Sequence, residues 1–175
     1  EGWPAEQLTP LAAELAFHSL EALTTNPKKP ERIVSVLVAI MECMRAVAER
    51  FPLIGRRSAH RAIKLAVAHC LGNKQARPAT FEALHALSEA CGPTWVLEKL
   101  REASLAHANP KTLLDALQWA KAAVEAFGTP PVFATEPLRF AAGAANADAS
   151  RDIGVRVACK ELLMCLRVAL GPSVL

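Results

Sequence analysis

Apolar residues recur at steps of three and four through long stretches of this sequence, and that spacing restricts the chain to helices. Ile33, Leu37, Ile40, Met44, Val47 and Phe51 form one run. Leu113, Leu117, Ala120, Val124 and Phe127 form a second, and Val155, Cys159, Leu162, Leu166 and Leu170 a third. A period near 3.6 places each run on one face of a helix. No segment alternates apolar and polar residues between hairpin signals, so no strand is expected.

Proline and glycine punctuate the runs. The expected helices are 8–23, 31–51, 55–71, 76–91, 94–107, 111–127, 131–145 and 153–170. Cys91-Gly92-Pro93, Gly128-Thr129-Pro130 and Gly171-Pro172 are stop signals. Asn109-Pro110 is a start signal, asparagine capping and proline opening the helix. Helices end at residues 51, 91, 127 and 170, at intervals of 40, 36 and 43 residues. Two helices per roughly 40 residues is the period of HEAT or armadillo arrays. The expected fold class is all-α, a HEAT-repeat solenoid of antiparallel helix pairs in a single domain, 1–175. The sequence ends where another helix would begin, so the domain reads as a piece of a longer protein.

Composition agrees. Of the 175 residues, 52% are hydrophobic, mostly alanine and leucine, and tyrosine is absent. Alanine and leucine favour helices with close contacts. A formal charge of +3 is a mild basic bias, short of the footprint of a nucleic-acid binder. With aromatic residues at only 5%, stacking on bases is not expected either. Cys43, Cys70, Cys91, Cys159 and Cys165 are odd in number, lack CxxC spacing and lie in apolar helical segments. Free thiols in a reducing compartment are expected, with neither disulfide nor zinc. The longest apolar run, Ile33 to Met41, is too short to cross a bilayer, and no membrane association is expected.

Catalytic motifs are missing. There is no phosphate-binding glycine loop, no metalloprotease helix and no nucleophile elbow. His69 beside Cys70 is a poor nucleophile–base pair, because helix neighbours point in different directions. His85, between Leu84 and Leu87, reads as a histidine at the core edge. Trp95 and Trp119 read as core residues. Neither an enzyme nor a cofactor is expected.

The turns differ by edge. Those inside each helix pair, Thr24–Pro30, Gly72–Arg77, Ala108–Lys111 and Asn146–Asp152, carry Lys28, Lys29, Lys74, Arg77, Lys111 and Arg151. Those between pairs, Pro52–Gly55, Gly92–Pro93, Gly128–Pro131 and Gly171–Pro172, carry no charge. One edge of the stack is therefore a row of short basic loops on a rigid scaffold, the usual place for binding residues. Ordinary solvated turn lysines are the other reading.

These loops, taken with Gly72-Asn73-Lys74, Cys91-Gly92-Pro93, Asn109-Pro110-Lys111, Trp119 to Gly128 and Asp152-Ile-Gly-Val155-Arg156, resemble the TOG domains of the microtubule polymerases, Minispindles and its animal and plant relatives. The likeness covers roughly 24–172 and is greatest to a middle domain of the TOG array. It implies non-enzymatic binding of αβ-tubulin along the intra-pair turns, a contribution to microtubule polymerisation, sister TOG domains in cis, and a cytoplasmic place on microtubules, the spindle or their organising centre. The matching contacts are Lys28 and Lys29, then Lys74, Lys111, and Arg151 with Arg156. Asn109 reads as a cap rather than a contact. Arg156 has a second reading as an ion-pair partner of Asp152, four residues before it. The family's first turn holds a tryptophan followed by a basic helix start. Here Trp3 is followed by Pro-Ala-Glu-Gln, so Trp3 is either its equivalent or a packing residue. The alternative function is a generic HEAT scaffold that binds a partner through its helix faces.

Overall fold

In a computed structural model, His18 and residues 34–50, 55–128 and 131–171 are described. Seven α-helices occur among them: α1 (Val34–Arg50), α2 (Arg56–Leu65), α3 (Arg77–Cys91), α4 (Pro93–Leu105), α5 (Pro110–Phe127), α6 (Pro131–Asn146) and α7 (Ile153–Leu170). A 3-10 turn, Asp148–Arg151, precedes α7. No strand is present among the described residues. Each expected helix from 31–51 onward is found within a few residues of its expected ends. Of the expected helix 8–23 only His18 is described, and it is helical.

One departure is local. The expected helix 55–71 stops being α-helical at Leu65 and continues as a π-turn, Ala66–Cys70. The Leu71 N–H reaches back five residues to the Ala66 carbonyl, at 2.8 Å. Widened turns of this kind occur mostly as single insertions in longer helices.

The helices stack in two layers. α1, α3, α5 and α7 form one; α2, α4 and α6 form the other; from α2 onward successive helices pack across the layers, while α1 meets the π-turn Ala66–Cys70. This is an all-α, HEAT-like solenoid of antiparallel pairs. Leu84, Leu87, Leu97, Leu100, Leu113, Leu117, Phe140, Leu162 and Leu166 are buried along its midplane, each burial worth ~1.5–3 kcal/mol. Alanines fill the closest approaches, among them Ala59, Ala62, Ala116, Ala120 and Ala144. Gly143 carries this furthest: a Cβ there would lie 2.7 Å from Leu105 Cδ1, so a larger residue on α6 would require the Leu105 side chain to move.

Along the first layer α1 packs closely on α3 and α5 on α7, while α3 and α5 stand further apart. Trp119 fills that gap, 2% exposed, its Nε1–H donating to the Phe81 carbonyl at 3.3 Å. The core assignment of Trp119 therefore holds. Trp95 packs against the core at its margin rather than inside it. It is half-buried in the first turn of α4, where the Arg56 guanidinium lies 5.6 Å from its ring centroid. A tryptophan at a helix start is beside solvent, and a cation over its face stabilises it there. His85 lies at the core edge as expected, its ring 4.6 Å from that of Phe127.

All five cysteines are free. Cys70 and Cys159 are buried, but Cys43 is exposed, against the expectation that all five would face apolar surroundings. It lies on the outward face of α1, between Glu42 and the buried Met44.

Two histidines make the fold sensitive to acid. Burial holds the His69 pKa below 6.5, helped by the nearby His107. Burial does the same at His60, assisted by Lys64 and Lys99. A base with a depressed folded pKa is protonated more readily when unfolded. Its contribution is complete above the unfolded value and is lost as pH falls through the folded one. Thermal melts of wild type should therefore show a midpoint that declines as pH drops below 6.5, and His69→Gln should flatten that decline. An unchanged pH profile in His69→Gln would remove His69 from the account.

Candidate interaction edge

The helices α3, α5 and α7 run in the same direction and begin on the same edge of the stack, at the turns inside the helix pairs. Gly92, Gly128 and Gly171 close these helices at the other edge, with φ of +93°, +71° and +85°. The sequence signals thus sort into two edges as expected.

The turn before α3 is tightly framed. Gly72 has φ +85°, and a Cβ there would meet Thr112 Oγ1 at 3.1 Å and Lys111 Cβ at 3.4 Å. Glycine is needed for both the left-handed backbone and the close approach. The Asn73 side chain accepts from the Gln75 and Ala76 N–H groups, at 3.0 and 3.4 Å, which presents Lys74 at the tip, exposed. This turn touches the next directly, Thr112 Oγ1 donating to the Leu71 carbonyl at 3.2 Å.

The turn before α5 is capped by Asn109, whose Oδ1 accepts the Lys111 N–H at 3.0 Å. Asn109 is a cap, as expected, and Lys111 is exposed in the first helical turn. The turn before α7 is capped by Asp152, Oδ1 accepting from Gly154 at 2.7 Å and Val155 at 3.2 Å. Gly154 lies against Leu114 of α5, so the third turn is seated on the second. Arg151 and Arg156 are exposed. The reading of Arg156 as a partner of Asp152 does not hold: no ion pair joins them among the described residues, because the Asp152 carboxylate is turned to the helix N-terminus.

Lys74, Lys111, Arg151 and Arg156 therefore lie on one edge, in three turns that touch in sequence. Trp3, Lys28 and Lys29 lie outside the described residues. No ion pair of the four basic residues is present among the described residues. Their position opposes helix stability, since cations near a helix N-terminus face the positive end of its dipole. Asp148 and Asp152 are exposed in the same stretch as Arg151, so four exposed cations outnumber two exposed carboxylates on this edge, a net positive balance suited to an acidic surface.

What holds this edge together has no signature in the apolar pattern of the sequence. Asp115, buried in α5, accepts the Gly72 N–H on Oδ2 at 2.8 Å, while Oδ1 lies 3.3 Å from Arg77 Nη1. The same Arg77 nitrogen reaches Gln118 Oε1 at 3.3 Å. A second buried carboxylate, Glu136 of α6, holds Arg101 of α4 at 3.2 Å and Arg139 at 2.6 Å. The available signal for Asp115 was its place between Thr112 and Trp119 on a buried helix face.

Cys70 beside His69 makes no nucleophile. Burial pushes its thiol up to about 12, so thiolate is scarce at neutral pH. No cluster of three metal-binding side chains exists among the described residues, and no helix there is long and apolar enough to cross a membrane.

No family model matches the chain, and no solved structure matches it. Among curated proteins, Protein MOR1 of Oryza sativa subsp. japonica is 26% identical over 178 residues. The match takes in 97% of this chain and 8% of that protein, so the chain spans a small part of its relative's length. The likeness supports a TOG-like relationship.

The Asp115 clamp is testable apart from any partner. Asp115→Ala leaves the Gly72 N–H without its acceptor and should cost about 1–3 kcal/mol in urea denaturation. Asp115→Asn retains an acceptor and should recover part of that loss. Equal stability in all three proteins would show that the clamp contributes nothing.

Proposed function

We propose that this domain binds αβ-tubulin, without catalysis, along the edge formed by turns 72–77, 108–111 and 146–152. Lys74, Lys111, Arg151 and Arg156 are the contacts on the described part of that edge, and Lys28 and Lys29, outside the described residues, join the set through the family resemblance. Trp3 belongs to the same set through the family resemblance alone. The role is in microtubule assembly, in the cytoplasm, beside sister TOG domains of a longer chain.

One observation carries this reading: Lys74, Lys111, Arg151 and Arg156, which have no ion pair among the described residues, share an edge with three helix N-termini and outnumber its exposed carboxylates. Charge kept against local stability is better accounted for by an acidic partner than by folding. The resemblance of the turn motifs to TOG domains supplies the partner, and the likeness to Protein MOR1 supports the relationship. The alternative, a scaffold that binds through helix faces, has the exposed apolar residues of α7 in its favour.

Replacing Lys74, Lys111 and Arg151 by glutamate tests the edge. Co-elution with unpolymerised tubulin should be lost. Exposed ion pairs are worth about 0.2–1 kcal/mol each, and truncating a desolvated pair costs about 2–5 kcal/mol, so three reversals remove several kcal/mol. Stability should stay level or rise slightly, because an acidic residue near a helix N-terminus contributes about 0.3–1 kcal/mol. The control is Arg57→Glu, exposed at the start of α2 on the other edge, which should spare binding. Loss of binding in the control alone would place the contact elsewhere. Absence of binding by wild type would leave the fold without this function.

A further inference from the structure

The helix α7 is apolar on two opposite faces. One face is buried: Val155, Cys159, Leu162 and Leu166 pack on α5 and α6. The opposite face carries Ile153, Val157, Met164 and Val168, which are 69%, 49%, 58% and 86% exposed. Every large exposed hydrophobic residue among the described residues lies on this helix, Leu163 on the flank of the stripe being the fifth. The equivalent helices are different. The exposed residues of α3 include Pro78, Glu82 and Glu89, and those of α5 include Lys111, Ala122 and Glu125. Met164 and Val168 also border a groove of about 620 Å³ between α5 and α7, floored by Val124. Contiguous exposed apolar surface of this kind marks an interaction site.

The stripe is symmetric about its own midpoint. Ile153 and Val168 are equidistant from the point between Lys160 and Glu161, and so are Val157 and Met164. A second α7 laid antiparallel across this point would set Ile153 against Val168, Val157 against Met164, and Lys160 against Glu161, twice over. Such self-complementarity is what a two-fold interface requires. The charges at the midpoint are available: Lys160 is exposed, without an ion pair among the described residues, and Glu161 is half-exposed and holds only Lys121, at 3.3 Å. Glu161 would then bridge two lysines.

We propose that this face is a homodimer interface, α7 packing antiparallel on α7 of a second copy around a two-fold axis between Lys160 and Glu161. A helix of 18 residues is ~27 Å long. One helix pair of that length buries on the order of 1,000 Å², the low end for specific association. An interface of that size is small enough for the dimer to be in reversible equilibrium with the monomer. It leaves the basic edge of each copy free, and the two edges project from opposite ends of the shared helix pair.

Sedimentation velocity of the whole domain in reducing buffer, from low to high micromolar concentration, provides the test. Wild type should show a reversible monomer–dimer equilibrium. Lys160→Glu and Glu161→Lys each set like charges together at the axis, and each should weaken the dimer by about tenfold or more, like-charge juxtaposition costing several kcal/mol. Circular dichroism should show both variants folded, their substitutions being at exposed positions. Two results are then specific to this geometry. The double variant carrying both changes should dimerise as wild type does, and an equimolar mixture of the two single variants should form heterodimers. Wild type that stays monomeric at the highest concentration overturns the proposal and leaves the stripe to another occupant, such as a further helix pair in cis. Dimerisation without rescue in the mixture overturns the antiparallel register.

Discussion

The buried Asp115 carboxylate fixes one helix pair to the next. One oxygen satisfies the Gly72 N–H and the other faces Arg77, so a single side chain on α5 closes the C-terminal end of the preceding helix and steadies the start of α3. A buried carboxylate is retained where its charge and lone pairs are met by donors, and here each donor comes from the neighbouring repeat. The Leu71 carbonyl and Thr112 hydroxyl add a second tie at the same seam. Apolar packing alone lets stacked helices slide by a fraction of a turn; directional bonds to backbone groups do not. The alignment of the turns into a continuous edge depends on this seam. Glu136 performs the corresponding service in the other layer, drawing Arg101 of α4 onto α6.

The edge so aligned is predominantly cationic, its exposed carboxylates Asp148 and Asp152 lying in the turn before α7. The capping oxygens of Asn109 and Asp152 accept the first N–H groups of α5 and α7, a task the donor-only lysine and arginine side chains cannot perform. Solenoids separate scaffold from contact surface because each repeat touches only its neighbours. The midplane can be leucine and alanine throughout while the turns vary. The large exposed apolar residues are likewise confined to one element, α7, and to its outward face. The two surfaces differ in chemistry, one cationic and one apolar, and they share α7, whose N-terminal turn carries Arg156 and whose outer face carries Val157.

The number, order and approximate limits of the helices from α1 onward were legible in the sequence, because helix periodicity and proline–glycine punctuation are local properties. Gly92, Gly128 and Gly171 stop helices for reasons of backbone conformation that need no tertiary partner. The division of turns into a charged and an uncharged edge followed from counting helices, since antiparallel pairs put alternate turns on opposite sides. Trp119 and His85 were also readable, being set among leucines at helical spacing. The contact roles proposed for Lys74, Lys111, Arg151 and Arg156 rest on family resemblance, because lysine in a turn carries no local signature of a partner.

Tertiary structure alone decided the rest. Trp95 and Cys43 stand at helix positions that a periodic pattern assigns inward, yet Trp95 is only half-buried at the margin of the core and Cys43 is exposed. Asp152 could serve Arg156 or the helix N-terminus, and the choice went to the backbone because an N-cap oxygen reaches two N–H groups at fixed geometry. The π-turn at Ala66–Cys70 and the bond from Asp115 to Gly72, 43 residues away in the chain, arise where two repeats meet. Local sequence determines which residues form a helix and where it stops. Which of its faces is covered, and by what, is settled by neighbours distant in sequence, because burial is a property of the assembled stack.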